Sequence, residues 1–329
     1  MPEGETSLLF VRDDTPGITR RRVRGKWRYT SPDGGPITDA EEIARLNGVG
    51  LPPAYGAAWF APFANAHILA TGLDARGRKQ YRYHPDFRME REARKFGNCR
   101  AFAARLPRIR KRVESELRGS AITRERAIAS IVRLLDTGCV RVGNDAYAKD
   151  NNSFGATTLR MRHARVSGQS IRLSFRAKSG KQCTLRMMDK SLARFVKAMQ
   201  DLPGQRLFQY LDTEGAPHPV TSSDVNAYIK ETMGESFTAK DFRTWAASVL
   251  AFTTIYESKG ALLLRDVLDA VSCHLSNTPA VARKSYIHPL ILAAAEAPET
   301  IRGIRLPRAT QWLSRHDRGL MIFLENPPT

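Results

Sequence analysis

At His84-Pro85 the chain changes texture, and that change limits its fold more than any other feature. Upstream, short runs alternate with period two between turn clusters. Downstream, apolar residues recur at helical spacing over long charged stretches. The two periods cannot share one element, because one places neighbours on opposite faces and the other winds them around an axis. Pro85 cannot continue a strand ladder but can open a helix. The expected organisation is therefore a small β-rich domain over residues 1–84 and a larger, mostly helical domain over 85–329.

Within the first part, Lys26-Trp27-Arg28-Tyr29-Thr30 reads as a strand and Ser31-Pro32-Asp33-Gly34-Gly35-Pro36 as a turn cluster. A capping box from Thr38 to Glu41 predicts a short helix over Ala40–Leu46. Ala58–Pro62, His67–Leu73 and Lys79–His84 read as further strands, the last pair turning at Asp74-Ala75-Arg76-Gly77. In the second part Asp86–Arg118 predicts a long helix interrupted near Gly97 and Pro107, followed by a helix over Thr123–Leu135. Ala164–Val166, Ser170–Phe175 and Gln182–Met187 predict a small antiparallel sheet with a turn at Ser179-Gly180. From Lys190 onward the pattern is helix after helix, and the segment after Arg305 is expected to pack. The fold class is α+β.

Charge says what such a chain meets. Its 329 residues carry 52 Lys+Arg against 33 Asp+Glu, a net charge of +19. That surplus is too large for an enzyme of small-molecule metabolism and points to a polyanion, nucleic acid before an anionic membrane surface. Hydrophobic residues at 42% and charged ones at 26% are the balance of a folded protein rather than a basic tail.

Several classes fall away. The longest uncharged stretch, Leu46 to Leu73, is broken by Pro52, Pro53, Pro62 and several glycines, so no membrane helix is expected. MPEGETSLLF has no basic region followed by an apolar one, so no secretory signal is expected and the compartment reads as cytoplasmic, at the nucleoid. Cys99, Cys139, Cys183 and Cys273 form no CxxC pair and read as reduced and buried. Gly48-Val49-Gly50 is followed by Pro53 where a dinucleotide loop wants glycine, and Gly180-Lys181 lacks the rest of a P-loop. No nucleotide cofactor is expected. Paired carboxylates at metal spacing are missing, with Asp145 and Asp150 the nearest approach, so no metal is expected either.

What remains is a set of basic residues and one tyrosine. Arg141 follows an apolar helix in Arg141-Val142-Gly143-Asn144. Lys178 lies at the turn in Phe175-Arg176-Ala177-Lys178-Ser179-Gly180-Lys181. Arg243 opens a helix in Lys240-Asp241-Phe242-Arg243-Thr244-Trp245, and Tyr286 closes the stretch that begins at Asn277-Thr278-Pro279-Ala280. Singly, each is an ordinary solvated or phosphate-contacting residue of a basic chain.

In this order the segments resemble the type IB DNA topoisomerases, in the compact branch shared by poxviruses and some bacteria, and the chain is identified as a bacterial member of that branch. The resemblance covers nearly the whole chain. Asp74 to Tyr83 is similar to the family's base-reading hairpin. Arg141-Val142-Gly143, Tyr147 and Gly155-Ala156-Thr157-Thr158-Leu159 are similar to its first active-site segment. Lys240-Asp241-Phe242-Arg243-Thr244 and the stretch from Thr278-Pro279 to Tyr286 are similar to the later ones.

The resemblance implies a monomeric, C-shaped clamp on double-stranded DNA and a 3′-phosphotyrosyl intermediate that permits strand rotation and religation. It makes Tyr286 the nucleophile, Arg141 and Arg243 stabilisers of the transition state, and Lys178 the general acid. The family's histidine nine residues before the tyrosine is here Asn277, which donates a hydrogen bond but carries no charge. His274, three residues earlier, would share its face if both lay on one helix; the spacing to Tyr286 favours Asn277.

The chemistry of those residue types agrees. Attack on a phosphodiester builds negative charge on the non-bridging oxygens, which two guanidinium forks can hold. A departing 5′ hydroxyl needs a proton donor, and the phosphotyrosine stores the bond energy needed to reseal. In the hairpin, Gln80, Tyr81 and Tyr83 are expected to alternate outward among Arg78 and Lys79, with glutamine reading an adenine edge and the cations holding phosphates. Tyr147 is a further candidate for a phosphate contact, while Trp27, Trp59, Trp245 and Trp312 read as packing residues. A tyrosine recombinase uses the same Arg-Lys-Arg-Tyr set, but with a His-x-x-Arg signature where this chain has Lys240-Asp241-Phe242-Arg243. An architectural DNA-binding protein would explain the charge but not the ordered set.

Overall fold

A computed structural model of the chain describes residues 7–327. They divide within one helix into two compact units, one ending at Arg94 and one beginning at Lys95.

The first unit is built on a five-stranded antiparallel sheet. Its elements in chain order are β1 (Ile18–Val23), β2 (Lys26–Thr30), α1 (Ala40–Gly48), β3 (Gly56–Phe60), β4 (Ile68–Leu73) and β5 (Lys79–Tyr83), with the strands ordered β2-β1-β3-β4-β5. Strand β1 has no counterpart in the sequence reading, because its core-facing side carries an arginine. Arg20 lies over the Trp27 ring at 4.2 Å and donates to the carbonyls of Leu51 and Pro52 at 3.0 and 2.7 Å. Helix α1 is capped by Asp39, which accepts from the Glu42 amide at 2.8 Å, and not by the Thr38 box. Its Leu46 closes a core of Ile18, Tyr29, Leu51, Phe60 and Ala70. Helix α2 (Pro85–Gly97) starts on Pro85 and carries the division between the units.

The second unit is mostly helical. Helix α3 (Cys99–Arg118) begins after a break at Gly97-Asn98, but Pro107 lies inside it without ending it. Phe102, Leu106, Ile109, Val113 and Leu117 form one buried stripe along it. Burying each is worth about 1.5–3 kcal/mol, against a proline cost of about 3 kcal/mol, so packing holds the helix through the proline. Helix α4 (Arg124–Gly138) is capped by Thr123, and α5 (Asp145–Asn151) by Asn144.

A three-stranded antiparallel sheet follows, β6 (Ala164–Ser167), β7 (Ser170–Arg176) and β8 (Gln182–Met188), in the order β6-β7-β8. After α6 (Lys190–Gln200) the helices are interrupted by a short antiparallel pair absent from the sequence reading, β9 (Gln209–Leu211) and β10 (Pro217–Pro219). Its three-residue strands are too short to show a period. Helices α7 (Ser222–Met233), α8 (Ala239–Glu257), α9 (Leu264–Leu275), α10 (Pro279–Ser285), α11 (Pro289–Ala294) and α12 (Glu299–Arg302) complete the body.

The segment after Arg305 ends in α13 (Arg315–Glu325), which packs through Leu320 and Phe323, while Asp317 accepts from the Trp245 indole at 2.8 Å. All four thiols are free; Cys99 and Cys139 are buried, but Cys183 is half-buried and Cys273 exposed. Among the described residues no helix is long and apolar enough to cross a membrane.

Candidate active site

Arg243 sits on the second turn of α8, buried, and two helix ends hold it. Helix α4 stops at Cys139, whose left-handed φ of 50° turns its carbonyl to the guanidinium. Helix α9 stops at Leu275, whose carbonyl accepts from the other terminal nitrogen at 2.9 Å. The carbonyl ends of two helices carry partial negative charge, so the cation is held where both dipoles favour it. Its Nε is buried without a partner among the described residues.

Arg141 follows α4 and is fixed through its backbone. The Arg141 carbonyl accepts from Ala156 at 2.8 Å, and the Val142 carbonyl from the amide and hydroxyl of Thr157 at 2.7 and 3.0 Å. Gly143 takes a φ of 97°, and a Cβ on Gly155 would stand 2.6 Å from the Arg141 carbonyl. Two glycines thus let the segments 141–143 and 155–157 lie against each other. The guanidinium donates to Oδ1 of Asn277.

Asn277 lies in the joint between α9 and α10, not on a helix, since Ser276 adopts a left-handed φ of 51°. The helix-face pairing with His274 expected from the spacing is therefore absent; His274 lines a small cavity with Cys183, Arg141 and Arg243 from within α9. Asn277 is buried, and its Nδ2 has no partner among the described residues.

Tyr286 caps the end of α10, whose start is capped by Thr278. Ser248 of α8 donates to its carbonyl at 3.4 Å and accepts from the His288 amide at 3.1 Å. Arg243 stands 5.0 Å from the ring centroid. Burial pushes the phenol pKa up, but the charge and a hydrogen-bonding contact of Arg243, then the charges of Arg141 and Lys240, outweigh it and leave the pKa below the ordinary tyrosine value. Burial, then repulsion from Arg243, lowers that of Arg141. The two guanidiniums thus act on the same phenol and repel each other.

Lys178 stands at the exposed tip between β7 and β8. The turn is tied back by Lys181, whose Nζ donates to the Asn277 carbonyl at 2.6 Å. Tyr147 is on α5, where Asn144 accepts from its amide at 3.0 Å. Asp145, weighed above as a metal ligand, pairs with Arg206 at 2.6 Å.

Arg78, Lys79, Gln80, Tyr81 and Tyr83 belong to the first unit. Tyr81 and Tyr83 share one face of β5 and stack at 5.7 Å, with Lys79 near the Tyr81 ring. Gln80 faces the other way and donates to Asp74 at 3.1 Å, so the three do not all point outward together. Asp74 also accepts from Arg78 at 2.8 Å; chiefly through that bond its pKa falls to about 2. Lys79 pairs with Asp13 at 2.6 Å.

Sequence reasoning missed the carbonyls of Cys139 and Leu275, the hydroxyl of Ser248, the charge of Lys240 and the reach of Lys181. Lys240 had a readable signal, three residues from Arg243 on one helix face. The carbonyls had none.

An α+β chain that gathers two fixed guanidiniums, an asparagine and a tyrosine in its helical unit presents the groups of a class suited to phosphoryl transfer through tyrosine. Residues 84–295 match the family described as eukaryotic DNA topoisomerase I, catalytic core, and residues 26–74 match bacterial DNA topoisomerase IB, N-terminal domain. The chain is 30% identical over 285 residues to DNA topoisomerase 1B of Acanthamoeba polyphaga mimivirus, covering 82% of this chain and 85% of that one. It is 28% identical over 193 residues to DNA topoisomerase 1 of Mycosarcoma maydis, covering 52% of this chain and 19% of that one. The chain belongs to the type IB DNA topoisomerases, enzymes that relax duplex DNA.

Proposed function

We propose that the Tyr286 oxygen attacks a DNA phosphorus, forming the tyrosyl–phosphorus bond as the bond to the 5′ oxygen breaks. The phenol proton passes to solvent, and Lys178 protonates the leaving 5′ oxygen, which would otherwise depart as an alkoxide. The 3′ phosphate stays on Tyr286 while the free strand rotates; the reverse attack reseals it. Arg141, the unpartnered Nε of Arg243 and the unpartnered Nδ2 of Asn277 hold the charge that grows on the non-bridging oxygens. The observation that carries this reading is the Arg243 guanidinium 5.0 Å from the Tyr286 ring centroid, with Arg141 donating to Asn277, the residue that leads into the helix ending at Tyr286.

Outside the chemistry, Arg78, Lys79, Gln80, Tyr81 and Tyr83 serve as the base- and phosphate-contacting strand, with Tyr147 on a further phosphate. The enzyme works as a monomer that clamps the duplex at the nucleoid. A DNA substrate whose cleaved strand escapes as a short fragment tests the reading, with EDTA present and nucleotide absent. Denaturation should leave DNA covalently attached to the wild type, while Tyr286→Phe binds the same DNA and captures none. Capture by the Phe variant at the wild-type level removes Tyr286 from the mechanism.

A further inference from the structure

Lys181 sits three residues beyond Lys178, on the far side of a tight turn. Ser179 and Gly180 both take left-handed φ values, 62° and 76°, and the Ala177 amide closes the turn on the Lys181 carbonyl at 2.7 Å. The β7–β8 ladder runs to the Arg176–Gln182 pair, and Lys178 stands exposed beyond it. On the facing segment, the Asn277 backbone amide donates to the Ser272 carbonyl at 2.9 Å and the side-chain Oδ1 accepts from Arg141. Its carbonyl accepts from Lys181 at 2.6 Å. That carbonyl belongs to the peptide leading into Thr278, the cap of the helix that ends at Tyr286.

We propose that Lys181 is a positioning residue: its hold on the Asn277 backbone carbonyl sets where the side-chain donor of Asn277, its Nδ2, stands. The inference rests on the role given above to Asn277. Lys181 touches no reacting atom. It acts by fixing the peptide that joins Asn277 to Thr278.

Single-turnover cleavage of two substrates, with oxygen or sulfur at the bridging 5′ position, tests this. A charge-assisted hydrogen bond is worth about 1.5–3 kcal/mol, or roughly 10- to 100-fold in rate. Lys181→Met should lose about that much on both substrates, because a misplaced donor is not repaired by a better leaving group. Lys181→Arg, which can still donate to the carbonyl, should recover most of the rate. In an Asn277→Ala background Lys181→Met should add little. Wild-type rates for Lys181→Met, rescue of it by sulfur, or losses that multiply with those of Asn277→Ala would each overturn the proposal. Lys178→Met is read separately. If sulfur fails to rescue it, its role as proton donor falls, while an equal Lys181→Met loss on both substrates, absent after Asn277→Ala, still upholds the tether.

Discussion

The guanidinium of Arg243 lies 5.0 Å from the centre of the Tyr286 ring while the carbonyls of Cys139 and Leu275 hold its two terminal nitrogens. The cation is anchored from behind and meets the phenol from the front. Its position therefore depends on where α4 and α9 end, and the acidity of Tyr286 depends on its position.

That dependence has a readable sign. A phenol with a lowered pKa ionises at lower pH, so the single-turnover cleavage rate should rise with pH and level off below the ordinary tyrosine value of about 10. In Arg243→Gln the burial of Tyr286 is no longer offset by the nearest charge. The midpoint should move to higher pH, and the plateau should fall by about 10²–10³. An unmoved midpoint would detach Arg243 from the acidity of Tyr286.

Asn277 offers a second test, through its buried Nδ2, which has no partner among the described residues. Loss of one donor to a developing oxyanion costs about 10²–10³ in rate, and Asn277→Ala should slow cleavage by that order. Asn277→His should retain most activity, since an imidazole donates from the same place. His274→Ala should change little, because it lies within α9 and off the joint that carries Asn277. A large loss at His274 with none at Asn277 would reverse the assignment; rapid-quench cleavage assays of the three variants decide it.

Gly155 tests the support behind Arg141. Its backbone is extended, so alanine brings no conformational strain, but the new Cβ would meet the Arg141 carbonyl and Gly143 backbone at 2.6 Å. Forcing the two segments apart should cost about 1–3 kcal/mol of stability, measurable by urea unfolding. Folded Gly155→Ala should also cleave more slowly at saturating DNA, because Arg141 moves with its carbonyl. Wild-type stability and rate together would show that the close approach is dispensable.

Much of the fold was legible wherever burial follows a period. The stripe from Phe102 to Leu117 along α3, the alternation in β7 and the Asp74 turn leave patterns that local spacing reveals. Strand β1 left none, because Arg20 occupies an inward position and is accommodated by Trp27 and two loop carbonyls from distant parts of the chain. Pro107 misled for a related reason: a breaker acts on the local backbone, and the apolar stripe on either side outweighs it.

The sequence by itself determined which chemistry-bearing groups exist, their order, the net charge of +19 and the α+β class, since these depend on residue type and local period. Tertiary structure alone decided how those groups act on one another. Arg243 finds its anchors in the carbonyls of Cys139 and Leu275, Asn277 leaves the helix that would have paired it with His274, and Lys181 reaches the Asn277 carbonyl. The physical reason is that these contacts run to backbone groups, which every residue carries alike. Where a carbonyl points is set by where a helix stops and how the chain turns, and no side-chain pattern records it.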